Sequence, residues 1–390
     1  MLGAARGWAA LAMPLPSPDA SPSWNGAWPR SKAGQAEAAR IASRLAASGA
    51  PPNAFRAAIL RRLWRDDAAL LKGLAAYRRH PHIRRLQDPP AIWSEGSARL
   101  LDYGGDGPPV LFVPSLVNRA YVLDLDEGSS LLRHLAANGA RPLLLDWGWP
   151  GEAERRFTLT DHVAGRLERA LMAVPEPVVL AGYCMGGLLA LAAALRRPDR
   201  VRALALLATP WDFHAGDARQ ARSLAALMPG FEPVMDATGT LPVDWLQAMF
   251  AMLDPWALAD KFRSFGRLPQ EGARARLFVA LEDWLNDGVP LAAPVARETL
   301  RDWYGANAPA RGEWRVAGWP VEPSAWRGPC FVAVPERDRI VPPASALPLA
   351  AAIPQAVTHI ARAGHIGMVA GSGAEAALWR PLLGWLTKAV

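Results

Sequence analysis

The sequence predicts an α/β fold with a mostly parallel, doubly wound sheet, a helical insertion and a helical N-terminal extension. Uncharged, strand-like runs alternate with helical segments over residues 110–207, and the alternation resumes over 330–388. Continuous apolar strands of this kind are typical of a parallel sheet covered on both faces. Between the two blocks lie about 115 mostly helical residues, rich in Trp. The content of 51% hydrophobic and 20% charged residues is that of a well-cored globular chain.

The N-terminal part differs in composition from the rest. Residues 1–32 are rich in Pro, Ser, Gly and Trp, and we expect an extended or disordered segment. Residues 33–88 predict a helical cap of two or three helices, with a break at Pro51 and Pro52. The α/β core is expected at 89–211 and 328–390, and a helical lid at 212–327.

The core elements follow in order along the chain. A hairpin is expected first, because Glu95-Gly96 separates two short strand-like runs. The strands are predicted at Ala91–Trp93, Ala98–Leu101, Val110–Val113, Pro142–Leu145, Val178–Ala181, Val201–Leu207, Cys330–Val334 and Val357–Ile360. The helices are predicted at Ser129–Asn138, Thr160–Ala173, Leu188–Leu195 and Ala344–Ala352, with a last helix ending at Lys388.

Charge and cysteine content narrow the functional classes. The net charge is +7, but its basic residues are almost all Arg with acids between them, so we expect no nucleic-acid partner. The two cysteines, Cys184 and Cys330, make no disulfide framework, which favours a cytoplasmic location. The N-terminus is a poor secretory signal. Glycines interrupt the uncharged run 177–195, so we expect a strand and a helix there and no transmembrane segment.

The segment Gly182-Tyr183-Cys184-Met185-Gly186 has the form of a nucleophile elbow, with cysteine in the place that serine usually takes. A predicted strand precedes it and a predicted helix follows, which is the context that this motif requires. Glycines are needed because the turn is sharp and side chains beside the nucleophile would collide with the strand and helix. Cys184 is therefore the candidate nucleophile.

A base and an orienting acid are expected after later strands. In the α/β-hydrolase plan the chain order is nucleophile, acid, base, each at the carboxyl end of a strand. Asp338 follows the predicted strand Cys330–Val334, and His365 follows the last predicted strand. We predict Asp338 as the acid and His365 as the base, with Glu336 and Asp146 as alternative acids. No metal-ligand spacing or phosphate-binding loop is present, so neither a metal nor a cofactor is expected.

The oxyanion hole is expected to use backbone N–H groups. One comes from Met185, directly after the nucleophile, and the other from the loop after an earlier strand. In that loop Leu116 and Val117 are the candidates.

These segments resemble the polyhydroxyalkanoate synthases, the poly(3-hydroxyalkanoate) polymerase branch of the α/β-hydrolase superfamily. The resemblance covers roughly residues 108–388. Its motifs are the Gly-x-Cys-x-Gly-Gly box at 182–187, the oxyanion-loop segment 113–125, Asp-Trp-Gly-x-Pro-Gly at 146–151, Asp-x-Ile-Val-Pro at 338–342 and Gly-His-Ile at 364–366.

The resemblance implies acyl transfer through a cysteine thioester. Cys184 would load a 3-hydroxyacyl group from its CoA thioester, the substrate, and pass it to a hydroxyl acceptor. Two other functions stay open. One is a thioesterase or esterase acting on hydroxyacyl substrates, although esterases favour serine; the other is a catalytically silent protein that binds a granule or a partner.

The resemblance also implies the partners that we expect. They are 3-hydroxyacyl-CoA or a hydroxyacyl polymer, a second copy of the chain in a homodimer, and the surface of a polymer granule in the cytoplasm.

Overall fold

A computed structural model describes residues 31–253 and 257–389. Residues 1–30, which carry nearly all of the predicted extended or disordered N-terminal segment, lie outside the described residues.

The core is an eight-stranded sheet. Its strands are β1 Ala91–Glu95, β2 Ala98–Asp102, β3 Pro109–Val113, β4 Arg141–Asp146, β5 Val178–Tyr183, β6 Val201–Leu207, β7 Cys330–Pro335 and β8 Ala356–Ala361. They are arranged in the order β1-β2-β4-β3-β5-β6-β7-β8. The hairpin strands β1 and β2 are antiparallel, β2 is antiparallel to β4, and every other pairing is parallel. The predicted α/β fold with a mostly parallel sheet is confirmed.

The register brings the carboxyl ends of the central strands to one edge. Val113, the last residue of β3, pairs with Gly182 of β5, and Tyr183 pairs with Leu207, the last residue of β6. The ends of β7 and β8 are also level, with Pro335 opposite Ala361. Loops that follow these strands therefore lie at the same edge, where ligands bind in open α/β sheets.

The helices flank the sheet or belong to the insertion and the N-terminal extension. They are α1 Lys32–Ser48, α2 Pro52–Arg79, α3 Leu131–Ala137, α4 Glu168–Met172, α5 Met185–Arg196, α6 Ala218–Ala225, α7 Met228–Thr238, α8 Val243–Leu253, α9 Ala257–Phe265, α10 Ala273–Asn286, α11 Ala293–Glu298, α12 Pro343–Ala352, α13 His365–Ala370 and α14 Arg380–Ala389. Three π-helical segments add to them: Asp161–Leu167, Thr299–Gly305 and Glu375–Trp379. None of the helices in the described ranges is long and apolar enough to cross a membrane.

Several predicted boundaries shift by a few residues. The helix expected from Ser129 begins at Leu131, because Ser129–Ser130 pairs with Asp124–Asp126 as a short ribbon. The Ser130 hydroxyl then caps the helix by accepting from the N–H of Arg133 at 3.0 Å. The predicted break at Pro51 and Pro52 is confirmed: α1 ends at Ser48, Gly49 is left-handed, and α2 begins at Pro52.

The chain divides into two compact units. In the described residues, the first holds 31–81 together with 257–275, and the second holds 82–253 together with 276–389. Within the first, α2 and α9 approach closely at Gly73, where a Cβ would overlap the Phe262 carbonyl group. The rings of Tyr77 and Phe262 meet edge to face with centroids 5.7 Å apart.

Helix α5 lies in the centre of the second unit. Ten consecutive residues, from Met185 to Ala194, are buried, and the segment carries no charge until Arg196. A helix that is apolar on all sides is stable only when it is covered on all sides. Strand β5, which leads into it, is also buried at every position. The turn between them thus joins two deeply buried elements.

Candidate active site

Cys184 occupies the turn between β5 and α5 in a strained conformation. Its φ is 56° and its ψ is −128°, a region that non-glycine residues rarely adopt. Two backbone hydrogen bonds hold it there: its N–H donates to Leu207 O at 2.8 Å, and its carbonyl accepts from Gly187 N at 3.0 Å. Strain of this kind persists only where the surroundings impose it, and it concentrates at functional sites.

Each of the three glycines of the elbow lies too close to neighbouring atoms to carry a Cβ. A Cβ on Gly182 would lie 2.6 Å from the backbone nitrogen of Gly187. A Cβ on Gly187 would lie 2.6 Å from Cγ2 of Thr209, and one on Gly186 would lie 2.6 Å from the Pro114 carbonyl oxygen. This packing agrees with the expectation from the sequence that side chains at these positions would collide with their neighbours.

Gly186→Ala is expected to destabilise the protein by about 1–3 kcal/mol, because the clash is with backbone that cannot rotate away. Urea unfolding followed by circular dichroism measures the change. Gly384→Ala is the matched control: Gly384 is an exposed position of α14 with no described atom within 4 Å of the new Cβ. There alanine should stabilise by up to about 1 kcal/mol, since glycine is a poor helix former. Equal effects of the two changes would contradict the packing argument.

His365 and Asp338 form a buried pair beside the elbow. Nδ1 of His365 lies 2.7 Å from Oδ2 of Asp338, and both side chains are buried. The other carboxylate oxygen, Oδ1, accepts the backbone N–H groups of Ile340 and Val341, each at 2.8 Å. Because the carboxylate is an acceptor only, Nδ1 carries the proton and Nε2 is the nitrogen left for the nucleophile.

Cys184 acts electrostatically on the His365 ring. Burial disfavours the imidazolium, but the interactions with Cys184 and Asp338, among them the hydrogen bond from Nδ1 to Asp338, outweigh it and raise the pKa of His365 to about 10. Protonation of His365 therefore stabilises the fold below about pH 6.5, and this contribution is lost as the pH rises through about 10.

The alternative acids lie elsewhere. Glu336 is exposed in the same loop, and its backbone N–H donates to Ala361 O at 2.9 Å. Asp146 accepts from Arg99 at 2.8 Å and from the N–H of Gly148 at 3.0 Å. Of the three acids considered from the sequence, the structure brings Asp338 to His365.

The second cysteine has no such surroundings. Cys330 is fully buried in β7, and burial raises the pKa of its thiol to about 12. A neutral thiol in apolar packing behaves as a small hydrophobic side chain.

The structure brings two of the three residues predicted for the oxyanion hole to the cavity. Met185 is the first residue of α5, where backbone N–H groups have no partner within the helix, and it lines the cavity at Cys184. Val117 also lines that cavity, and its N–H donates to Ser115 Oγ at 3.1 Å. Leu116 is buried and faces a smaller pocket beside Trp147 and His162. Met185 and Val117 are thus brought to the cavity, and Leu116 is not among its lining residues.

A cavity of about 560 Å³ opens above Cys184. Most of its lining comes from the insertion and is apolar. These residues include Leu241, Leu246, Met249, Phe250, Leu253, Leu291, Leu300 and Trp303. A largely apolar pocket with a few polar groups is the usual form of a small-molecule site. The sequence predicted a lid but none of these side chains, since their helical pattern does not distinguish cavity from core.

One polar lining residue, Tyr304, also went unpredicted. It lies in the π-helical segment Thr299–Gly305. Burial and the charge on Cys184 raise the pKa of Tyr304 to about 12, so its phenol is neutral at physiological pH. In the parts of the chain that the structure describes, no three His, Cys, Asp or Glu side chains are arranged to hold a metal ion.

A comparison with protein families agrees with this architecture. A family model described as the alpha/beta hydrolase fold matches residues 108–371. The thioesterase domain from the curacin biosynthetic pathway is similar, with 17% identity and a TM-score of 0.48; the match covers 74% of this chain and 95% of that domain.

Curated relatives are more similar to this chain in sequence than that domain is. The poly(3-hydroxyalkanoate) polymerase subunit PhaC of Synechocystis sp. is 31% identical over 293 residues, which is 72% of this chain and 78% of the relative. The protein of the same name from Haloferax mediterranei is 29% identical over 76% of this chain, and the match spans 63% of that relative, less than two thirds of its length. The match to the first relative is long enough, and its identity high enough, to decide the family. The chain therefore belongs to the poly(3-hydroxyalkanoate) polymerase family, within the α/β-hydrolase superfamily.

Proposed function

We propose that the protein is an acyltransferase that loads 3-hydroxyacyl groups from CoA thioesters onto Cys184 and passes them to a hydroxyl acceptor, building a polyester. The observation that carries the proposal is Cys184 on its strained elbow, next to a His365 that Asp338 orients and beneath a mainly apolar cavity. The family relationship supports the same chemistry, since the curated relatives are named as polymerases.

In the first half-reaction, the Cys184 thiolate attacks the thioester carbonyl. The N–H groups of Met185 and of the 115–118 loop are proposed to bind the developing oxyanion. When the intermediate collapses, the CoA sulfur leaves and takes the proton from the His365 imidazolium. One thioester is exchanged for another, so the step is close to balanced in energy.

In the second half-reaction, the roles of His365 reverse. Once Cys184 is acylated its negative charge is gone, and with it one cause that raises the pKa of His365. Burial then favours the neutral ring, whose Nε2 accepts the proton of the incoming 3-hydroxyl. The oxygen attacks the acyl carbon, an oxoester forms, and the Cys184 thiolate leaves beside a new imidazolium. General-base help of this kind contributes about 10²–10⁴ in rate.

The proposed reaction needs no cofactor, because nucleophile, base and acid are all side chains of this chain, and acyl-CoA enters only as substrate. The product would collect as a polymer in the cytoplasm, and the granule surface is the expected location of the enzyme. A homodimer stays a prediction.

Incubation of the purified protein with 3-hydroxybutyryl-CoA tests the function. We expect CoA release together with turbidity from polymer, and little free 3-hydroxybutyrate. CoA release matched by soluble free acid would instead indicate a hydrolase. If no CoA is released and iodoacetamide does not label Cys184, the protein is catalytically silent.

A further inference from the structure

Tyr304 brings a polar group into the cavity above Cys184. Its π-helical segment, Thr299–Gly305, departs from regular α-helix, and such segments occur frequently at functional sites. Tyr304 is partly accessible and lines the same cavity as Cys184 and Met185. The charge of Cys184 acts on the phenol, which places the two groups in one electrostatic environment.

The hydroxyl of Tyr304 is available to a ligand, whereas other polar groups of the cavity are already hydrogen-bonded. Among the described residues, no hydrogen bond involves the phenol oxygen; the contacts of Tyr304 are made by its ring and its backbone carbonyl. Three other polar residues of the cavity already have partners. Ser115 accepts from Val117 N–H, Thr299 donates to backbone carbonyls, and Asp212 accepts from Asn307.

The ring of Tyr304 is also held in place. Its carbonyl accepts from His214 Nε2 at 2.8 Å, and its ring meets that of Phe213 edge to face at 5.0 Å. Asn307 fixes the facing loop by accepting from Phe213 N at 2.9 Å and donating to Asp212 at 2.8 Å. A donor held this firmly costs little ordering entropy when it binds a ligand.

We propose that the Tyr304 hydroxyl donates a hydrogen bond to the 3-oxygen of the acyl group bound at Cys184, and so selects 3-hydroxyacyl thioesters over unsubstituted ones. This rests on the proposed function and names the residue that reads its substrate class. Because the phenol stays protonated, it donates and does not act as a base. A site built to bond a hydroxyl discriminates against the analogue that lacks it, since the donor is then left unpaired.

The test compares acylation of Cys184 by 3-hydroxybutyryl-CoA and by butyryl-CoA in a single turnover, with CoA release and the mass of the acyl-enzyme as readouts. The wild type should prefer the hydroxylated thioester by about tenfold or more. Tyr304→Phe removes only the hydroxyl, and should lose most of that preference, because the 3-hydroxybutyryl reaction slows, the penalty on the butyryl reaction is relieved, or both. Tyr103→Phe is the control: its hydroxyl bonds Asp124 at 3.1 Å and does not line the cavity, so the preference should persist.

Each other outcome overturns the inference. An unchanged preference in Tyr304→Phe, or an equal loss on both thioesters, would mean that the hydroxyl does not bind the 3-oxygen. A wild type that reacts with both at one rate would contradict the inference but leave the acyltransferase intact. A wild type that reacts with neither would contradict the proposed function as well.

A comparison on the wild type covers the case in which the variant does not fold. The thioester of 3-methoxybutyrate keeps the acceptor oxygen and lacks the donor hydrogen, so it should acylate Cys184 faster than butyryl-CoA. A rate at or below that of butyryl-CoA would count against donation by Tyr304.

Discussion

Cys184→Ala should lose acyl-enzyme formation and CoA release by about 10⁶-fold, the scale on which loss of a triad nucleophile acts. The reason is that no other group in the site can form the thioester: the sulfur is the atom that His365 contacts and that the elbow holds at the cavity floor. Intact-protein mass after mixing with 3-hydroxybutyryl-CoA measures the adduct, and a thiol reagent measures free CoA.

Cys330→Ala is the matched control for this change. It removes the other thiol of the chain from a buried strand, and should cost about 1 kcal/mol of stability while CoA release continues. Undiminished acylation in Cys184→Ala, or an adduct that maps to Cys330, would contradict the assignment of the nucleophile.

The elbow was predictable from the sequence because its requirements are local. A run without charges enters the turn, glycines flank Cys184, and a second uncharged run leaves it, and each has a steric reason that spans only a few residues. The structure adds that the helix begins at Met185, three residues before the predicted start. The glycines at 186 and 187 hid that start, since glycine is unfavourable within helices.

The choice of acid was not decided by local pattern. Glu336 and Asp338 follow β7 in the chain, and Asp146 is the last residue of β4. What separates them is the turn after β7, in which two backbone N–H groups bond one oxygen of Asp338 and leave the other for His365. That geometry depends on backbone angles between residues 335 and 341, which residue type alone does not specify.

The cavity was less predictable from the sequence than the elbow or the acid. Tyr304 and Trp303 stand in a segment with ordinary helical composition, and no sequence signal marks the extra residue of a π-helical turn. Residues 257–275 lie inside the predicted insertion, yet they cluster with the N-terminal helices. The second fact arises from contacts between segments far apart in the chain, so periodicity within one segment does not reveal it.

Asp338→Asn should lower the rate of acyl transfer by about 10⁴-fold while leaving the fold intact. In the asparagine, Oδ1 keeps the N–H groups of Ile340 and Val341, and the amide nitrogen then faces Nδ1 of His365. Because that nitrogen is a donor, Nδ1 must become the acceptor and the ring proton moves to Nε2. The nitrogen beside Cys184 is then unable to accept a proton from the thiol or from an incoming hydroxyl.

Two matched changes show whether the loss of acyl transfer is specific to the Asp338–His365 pair or follows from a change at any acid in the region. Glu336→Gln alters an exposed neighbour in the same loop, and Asp146→Asn alters an acid that pairs with Arg99. Both should keep acyl transfer within about tenfold of the wild type, because neither contacts His365. A larger loss in either than in Asp338→Asn would reassign the acid. If Asp338→Asn itself kept full activity, His365 would be oriented by its burial alone, and the buried carboxylate would serve only to hold the turn after β7.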